Sequence, residues 1–413
     1  MPEAELELRL RQLAEKTVAG CTFSKQTQWF GEQQSRLVFL PAGDEKYPSF
    51  WPVDAIFSAR SGLMKTKVLL DMICAIFAHG QNGAETRPLE NGLAVPPWAI
   101  ADHINFDGGA VFFPGTYRSG SNQGNGSFGF LPPMNNLYLV AELVVRYIAQ
   151  SGDSAILERE FDGVSVKQRL KNAFLAPYVL EDTTGLCWGA EDRYCVDWTY
   201  CDQVKKNGLL LVPSVMRAEA ARLLAKLLPC EAESFMALQK KLVDGIVSHF
   251  WDAQSGLFRS ATGLGDQWDV WGTAYAVYSE LLPETVKEKA CDALCRIYEQ
   301  GSATCGGCVR HVLTTDNGGY WRACDSHPDS YMNGGYWATP SGWFAYALAQ
   351  RQPALAKRFA EEFLTHVAEN EAKGAPFEWF SPVTGKFSGC RYGTSGTALY
   401  AAVLKLKTQG VIL

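Results

Sequence analysis

The sequence predicts an all-α protein, and more narrowly an (α/α)6 barrel, a ring of six helical hairpins with short β-hairpins in its loops. Apolar residues recur with the helical period along most of the chain, whereas the alternating pattern of strands is sparse. Several periodic segments end in Gly-containing turns, as in AQSGD after residue 150, where glycine can adopt the left-handed conformation that ends a helix. The predicted helices are 5–16, 55–79, 134–150, 165–177, 207–228, 232–249, 270–281, 285–299, 341–350, 354–368 and 393–407.

A short turn element recurs between these helices. It occurs as EDTTGLC at 181–187, WDAQSGLF at 251–258 and FSPVTGKF at 380–387, each with polar or Pro residues before a Gly and a large apolar residue. This is the composition of a tight turn that opens a short hairpin. The spacing indicates a unit of about 65 to 70 residues, two helices and a loop, used six times. An open helical solenoid is the alternative architecture, but it would have shorter loops.

Length and charge limit the classes of partner. The 413 residues are 47% hydrophobic, and 44 acidic against 38 basic residues give a net charge of −6 without any run of Lys or Arg. A nucleic-acid or anionic-membrane partner is therefore not expected. The chain has no signal-peptide pattern and no apolar stretch of membrane-spanning length, so a cytoplasmic location is expected. We predict one catalytic domain over 1–413, with 1–45 forming an N-terminal helix and extension packed on it, as a monomer or homo-oligomer.

The twelve cysteines fit reduced thiols in helices better than a disulfide framework. Cys305 and Cys308 form the single CxxC motif, and no second pair at a suitable spacing completes a zinc site. We predict neither a metal site nor a required cofactor.

Aromatic residues in polar loops indicate a carbohydrate ligand. The chain has 12 Trp, 16 Tyr and 22 Phe, many of them in Gly- and Asn-rich stretches rather than in helical stripes. The apolar face of a sugar ring stacks on such side chains, although plugging the ends of helices is the alternative for any one of them. A small-molecule carbohydrate is therefore the expected partner. The segment SYMNGGYWATPSGWF contributes the candidate contacts Tyr331, Asn333, Trp337 and Trp343.

Carboxylates within aromatic loops are candidates for acid–base catalysis of glycoside hydrolysis, which needs one protonated acid and one ionised carboxylate. Asp197, between Val196 and Trp198, is the predicted general acid, with Glu191 and Asp192 in reserve. Glu378, between Phe377 and Trp379, is the predicted base. The alternatives are structural: Asp197 could cap a helix or pair with Arg193, and Glu378 could pair with Arg391.

Further substrate contacts are predicted from the same loops. Asp54 could hold a sugar or cap the helix that follows it. A loop of about forty residues before residue 134 is too long to be a simple connection and too apolar to be disordered. The remaining predicted contacts from these loops are Trp51, Trp98, Asp107, Arg118, Gln123, Trp188 and Tyr392.

At these loops the sequence resembles the six-hairpin glycosidases, which include glucoamylases, trehalases, glycoside hydrolase family 63 and bacterial α-L-rhamnosidases. FWPVDAIF at 50–57 resembles their Trp-Arg-Asp signature, with Val53 in place of Arg, and 330–349 is similar to their Tyr-His-Asn-Gly-Gly-Trp segment, with Met332 in place of His. CVDWTYC at 195–201 and PFEWFSPVTGKFSG at 376–389 lie where these enzymes carry acid and base. The layout is most similar to small family 63 enzymes that act on glucosylglycerate or mannosylglycerate.

The resemblance implies an exo-acting, inverting hydrolase, in which the two carboxyl groups lie roughly 6.5 to 9.5 Å apart; a retaining pair would be closer, at about 5 to 5.5 Å. Two other functions remain open. A sugar isomerase or epimerase of the N-acylglucosamine epimerase type would use histidines, of which His103, His311 and His327 lie in loops. A non-catalytic carbohydrate-binding protein could use the same scaffold.

Overall fold

The structure, a computed structural model, describes residues 1–44 and 46–411. Within these residues it is mostly helical, as predicted. The α-helices are α1 (Glu3–Gly20), α2 (Pro52–Ala59), α3 (Thr66–Ala75), α4 (Asn135–Ser151), α5 (Val166–Phe174), α6 (Leu211–Leu227), α7 (Ala232–Phe250), α8 (Val270–Tyr278), α9 (Glu284–Glu299), α10 (Ser341–Ala349), α11 (Pro353–Glu369) and α12 (Gly393–Lys407). A π-helical turn, Ile76–Gly80, extends α3.

The strands are short and lie in the connections between helices. They are β1 (Thr22–Thr27), β2 (Gln34–Phe39), β3 (Arg87–Pro88), β4 (Ala94–Val95), β5 (His103–Ile104), β6 (Ala110–Val111), β7 (Glu160–Phe161), β8 (Val164–Ser165), β9 (Trp188–Gly189), β10 (Gly208–Leu209), β11 (Trp251–Asp252), β12 (Leu257–Phe258), β13 (Thr304–Cys305), β14 (Cys308–Val309), β15 (Tyr336–Trp337), β16 (Phe377–Phe380) and β17 (Phe387–Cys390). β13 to β17 form one antiparallel sheet in chain order, in which Trp337 pairs with Trp379; the other strands form two-stranded ribbons.

The even-numbered helices contact one another in a closed circuit. α2 packs on α4, α4 on α6, α6 on α8, α8 on α10, α10 on α12, and α12 returns to α2. The odd-numbered helices pack outside this circuit: α1 on α12, α3 on α4, α7 on α6, and α11 on α10. Every residue of α2, α8 and α10 is buried, whereas α7 and α11 bury only a stripe. α2, α8 and α10 are mainly apolar, and because all of their residues are buried they lie in the interior of the protein.

Most predicted elements match the structure within a few residues. The exception is the predicted helix 55–79, which is two helices, because the chain turns after Ala59 and Gly62 adopts a left-handed φ of 69°. Two predicted hairpins are confirmed, β11–β12 and β16–β17, with Gly256 and Gly385 at positive φ in their turns. The third, at 181–187, is a turn closed by a single bridge between Leu180 and Cys187.

The N-terminal segment packs on the rest of the chain. α1 contacts α12 and α11, and the β1–β2 ribbon contacts α3. The segment after β2 then carries Lys46 and Tyr47 to the cavity described below. All twelve cysteines are free thiols. Among the described residues, none of the helices is both long and apolar enough to cross a bilayer.

Candidate active site

A cavity of about 410 Å³ opens where α2 and α12 begin. Loops from five separate parts of the chain form its walls, so residues distant in sequence meet there. Four carboxylates, two tryptophans and five tyrosines are among the lining residues. The lining consists of Pro41, Lys46, Tyr47, Trp51, Asp54, Asp102, His103, Pro114, Gly115, Thr116, Tyr117, Phe128, Thr199, Tyr200, Asp202, Gln203, Tyr331, Glu378, Trp379, Ser388 and Tyr392.

Asp54 lies in the first turn of α2, at the floor of the cavity. It does not cap the helix: its carboxylate is 2% exposed and accepts a 2.6 Å hydrogen bond from the Tyr200 hydroxyl. Burial raises the pKa of Asp54 to about 7, against the lowering effect of hydrogen bonds from Tyr200 and Tyr392. Near neutral pH this carboxyl can therefore both donate and accept hydrogen bonds, as a sugar hydroxyl requires.

Glu378 projects from β16 into the cavity. The Tyr47 hydroxyl donates a 2.5 Å hydrogen bond to its Oε2, and Lys46 Nζ lies 3.7 Å from the same oxygen. Burial raises the pKa of Glu378, while Lys46 and the Tyr47 hydrogen bond act in the opposite direction. Glu378 is thus a buried carboxylate whose charged form is stabilised by a hydroxyl group and an ammonium group. Arg391, the alternative partner considered from sequence, makes no ion pair with it within the described residues.

Asp202 follows a single helical turn, Thr199–Cys201, and has no cationic partner within the described residues. Its Oδ2 lies 3.5 Å from the Tyr331 hydroxyl, and its Oδ1 is buried without a hydrogen-bond partner. Burial, together with the nearby charges of Asp102 and Glu378, raises the pKa of Asp202 well above its usual range. This environment favours a protonated carboxylic acid.

Asp102 and His103 form a buried pair in the wall of the cavity. The Asp102 carboxylate lies 2.9 Å from His103 Nδ1 and accepts a 3.2 Å hydrogen bond from Thr199. The His103 ring stacks on Trp51, with ring centroids 4.4 Å apart. Trp51 also meets Tyr47 edge-on, so aromatic rings surround the carboxylates.

Asp197, the predicted general acid, lies outside this cavity. Its Oδ2 accepts a 2.8 Å hydrogen bond from Lys206 Nζ, and both side chains are completely buried. Neither alternative considered from the sequence occurs as stated: the ion-pair partner of Asp197 is Lys206 and not Arg193, and the N-cap of the turn Thr199–Cys201 is Trp198. A carboxylate sealed in an ion pair has no access to a ligand in the cavity.

The other predicted contacts divide by location. Trp51, Asp54, Tyr331, Glu378 and Tyr392 line the cavity; the rest do not. Asp107, Arg118, Glu191 and Asp192 are exposed outside it. Gln123 and Asn333 are buried and bond loop backbone, as in the 2.9 Å hydrogen bond from Trp321 N–H to Asn333. Trp337 and Trp343 pack inside the protein, and Trp98 and Trp188 are partly buried elsewhere.

Several lining residues were not predicted from the sequence. They are Lys46, Tyr47, Asp102, Tyr117, Tyr200, Asp202 and Trp379. The sequence carried a signal for Asp202, one of four acids in the aromatic loop at 185–208, but flanking apolar residues favoured Asp197 there. Within the described residues, no group of three or more His, Cys, Asp or Glu side chains is arranged to hold a metal ion.

The fold is similar to that of known glycosidases. A rhamnosidase from Klebsiella oxytoca with rhamnose bound matches 98% of this chain at a TM-score of 0.59 and 12% identity, and the chain spans 64% of that enzyme's length. A GH63 mannosylglycerate hydrolase from Thermus thermophilus in complex with glucose matches 95% of this chain and 99% of its own at a TM-score of 0.58 and 15% identity.

A third protein, described as a wild-type glycosidase, aligns over the full length of this chain and of its own at a TM-score of 0.58 and 12% identity. No protein-family profile and no curated protein sequence matches. The resemblance to six-hairpin glycosidases is therefore confirmed at the level of the fold.

Proposed function

We propose that this protein is a glycoside hydrolase, inverting and exo-acting, that uses Asp202 as general acid and Glu378 as general base. The observation that carries the proposal is that two buried carboxyl groups share one cavity in opposite environments. Among the residues that the structure describes, no cation pairs with Asp202, whereas Glu378 has Lys46 and the Tyr47 hydroxyl beside it. When their environments differ in this way, the pKa values of two carboxyl groups separate, so that one can act as the acid and the other as the base.

The proposed reaction follows from this difference. Asp202 gives its proton to the oxygen of the departing group as the glycosidic bond breaks. Glu378 takes a proton from a water molecule that attacks the anomeric carbon from the opposite face. Asp54, with Tyr200 and Tyr392 behind it, holds hydroxyl groups of the terminal sugar, and Trp51 offers an aromatic face. This assignment replaces Asp197 with Asp202 as the acid and keeps Glu378 as the base.

We also propose that the chain is a single (α/α)6 barrel domain. The closed circuit of contacts among the six even-numbered helices supports it, as does the likeness in fold to glycosidases over nearly the whole chain. A cavity of about 410 Å³ is in the range for small-molecule sites and suits a terminal sugar with a small aglycone. Rhamnose and glucose in the related structures make hexoses the first substrates to test.

The test is a panel of aryl α- and β-glycosides of glucose, mannose and rhamnose, with the product anomer followed by NMR. We expect turnover of one configuration, with the first product of opposite configuration. Glu378→Gln should abolish this turnover, while Glu371→Gln, which alters an exposed pair with Lys16, should not. Retention of configuration would overturn the inverting mechanism, and binding without turnover would favour a carbohydrate-binding protein.

A sugar isomerase is the second candidate, because His103 lines the cavity and is held by Asp102. Of the other loop histidines, His311 is buried beside Trp271 and His327 is exposed, and neither lines the cavity. One histidine supplies only part of the histidine-based proton transfer expected of that class. Incorporation of deuterium from heavy water next to the carbonyl of a reducing sugar would support isomerisation over hydrolysis.

A further inference from the structure

A second cavity, of about 530 Å³, lies at the other end of the helical circuit. The first cavity, which we call the catalytic cavity because the proposed hydrolysis takes place there, is at the beginning of α2 and α12, where Asp54 and Tyr392 are found. The second lies where α2, α8 and α12 end, with Arg60, Tyr278 and Lys405 in its wall. We call it the distal cavity. Nothing in the proposed hydrolysis uses it.

Charged groups of both signs line the distal cavity. Arg60, Arg146, Arg222 and Lys405 are the cations and Glu142, Glu219 and Glu280 the carboxylates. Glu142 is the best paired, with Arg60 at 2.7 Å and Arg146 at 2.6 Å. The positive charges at the ends of these helices also complement the helix dipoles. The lining is therefore nearly balanced, at one net positive charge.

One guanidinium group of the lining is only loosely paired. The Arg222 guanidinium lies 3.8 Å from Glu219, too far for a hydrogen bond, and its side chain is 30% exposed. Arg60, by contrast, is almost completely buried and bonds Glu142, and its one nitrogen without a partner among the described residues has no exposed surface. Arg222 is therefore the cation from which a ligand in the distal cavity can accept hydrogen bonds.

Between the charges the wall is apolar. Tyr138 and Tyr278 contribute rings, and Leu139 and Leu223 contribute aliphatic surface. This combination matches the two kinds of surface on a sugar, hydroxyl groups at the edge and C–H groups on the face. An anion would meet three carboxylates and a cation four positive charges, whereas adjacent hydroxyl groups can accept from arginine and donate to glutamate at once.

We propose that the distal cavity is a second binding site, for a neutral sugar or polyol, separate from the catalytic cavity and independent of whether the protein hydrolyses glycosides. Arg222 donates to its hydroxyl groups, Glu219 accepts from them, and the aliphatic side chain of Leu223 packs on its carbon face.

The test must distinguish binding in one cavity from binding in the other, and a tyrosine in the lining of each cavity can report on it separately. Protein labelled with 3-fluorotyrosine is titrated with D-glucose and followed by ¹⁹F NMR, with Tyr278 reporting on the distal cavity and Tyr117 on the catalytic one; Tyr→Phe variants assign both signals. We expect a saturable shift of the Tyr278 signal at millimolar glucose. D-glucose 6-phosphate and D-glucosamine should shift it at least about tenfold more weakly, because each places a charge against like charges.

Variants give a second measurement. Arg222→Gln should weaken the Tyr278 response about tenfold or more, and Leu223→Trp should abolish it by filling the cavity. Arg259→Gln is the matched control, since Arg259 also lies 3.8 Å from a carboxylate, Asp252, but outside the cavity. A Tyr278 signal unmoved by glucose, or moved equally in the Arg222 variant, overturns the proposal. A response only to the phosphorylated sugar would make the cavity an anion site instead.

Discussion

Single carboxylates in this protein differ in chemistry because their neighbours differ, not because their burial does. Asp197 and Asp202 are five residues apart in one loop, and both are at least nine-tenths buried. Lys206 pairs with Asp197, while Asp202 shares the lining of the first cavity with Asp102 and Glu378, whose charges help to raise its pKa. The first arrangement is a closed ion pair, and the second favours a protonated carboxyl group in the wall of the cavity.

This contrast predicts opposite outcomes for two conservative variants. Asp202→Asn should reduce kcat by orders of magnitude, less so for substrates with good leaving groups, and should not lower the free energy of unfolding. Asp197→Asn should destabilise the protein by about 3 to 5 kcal/mol, because Lys206 becomes an unpaired buried charge, while the folded enzyme keeps its activity. Urea unfolding and steady-state kinetics measure both. Unaltered kcat in Asp202→Asn would rule out the acid assignment.

Asp54 should make stability depend on pH. Its pKa is 3.8 in the unfolded reference and about 7 in the folded protein, so folding takes up a proton between these values. The stabilising contribution is complete below about pH 4 and is lost as the pH rises through 7, by roughly 4 kcal/mol in all. Asp54→Asn removes this dependence while leaving an oxygen for Tyr200. Urea unfolding measures the free energy of unfolding of both proteins at pH 4 and pH 8. From pH 4 to pH 8 the Asp54→Asn variant should gain stability relative to wild type. The same difference in unfolding free energy at both pH values would contradict a pKa of about 7 for Asp54.

At the scale of elements, helices followed from the sequence because their apolar periodicity is local. The loops that carry the cavity did not, because their shape depends on the helices they connect. Close packing of helices also depends on partners: a Cβ at Gly396 of α12 would overlap the Thr17 side chain of α1. Periodicity alone gives no sign of this contact.

The close contact between α1 and α12 predicts that Gly396 does not tolerate even a small side chain. Gly396→Ala should destabilise the protein by about 1 to 3 kcal/mol, although alanine normally favours a helix, because it overpacks against Thr17. Gly20→Ala, in α1 with open space around its Cβ position, is the control and should be neutral or stabilising. Thermal unfolding of the two variants compares them directly; equal stability would show that α1 moves aside at little cost.

At the scale of the whole molecule, the helical circuit closes through α12, which contacts α10, α1 and α2. Each end of this circuit has its own cavity, one rich in carboxylates and the other balanced in charge. Closure therefore brings α1 and α12 together, and the two cavities lie at opposite ends of the closed circuit.

Removing the closing helix should unfold the circuit. A chain that ends at residue 391 lacks α12 and exposes the buried faces of α2 and α10, so we expect no cooperative thermal transition by circular dichroism. Adding a peptide of residues 392–413 should restore part of it. A truncated chain with a sharp transition near that of the full chain would show that closure contributes little.

The sequence by itself determined most of the helices, two of the three predicted hairpins and the resemblance to six-hairpin glycosidases, because periodicity and turn chemistry act over a few residues. Five of the predicted contacts, Trp51, Asp54, Tyr331, Glu378 and Tyr392, line one cavity in the structure. Only the tertiary structure decided which of Asp197 and Asp202 lines that cavity and which is paired with Lys206 outside it. The partner of a buried charge comes from another turn of the chain, and no local pattern encodes it.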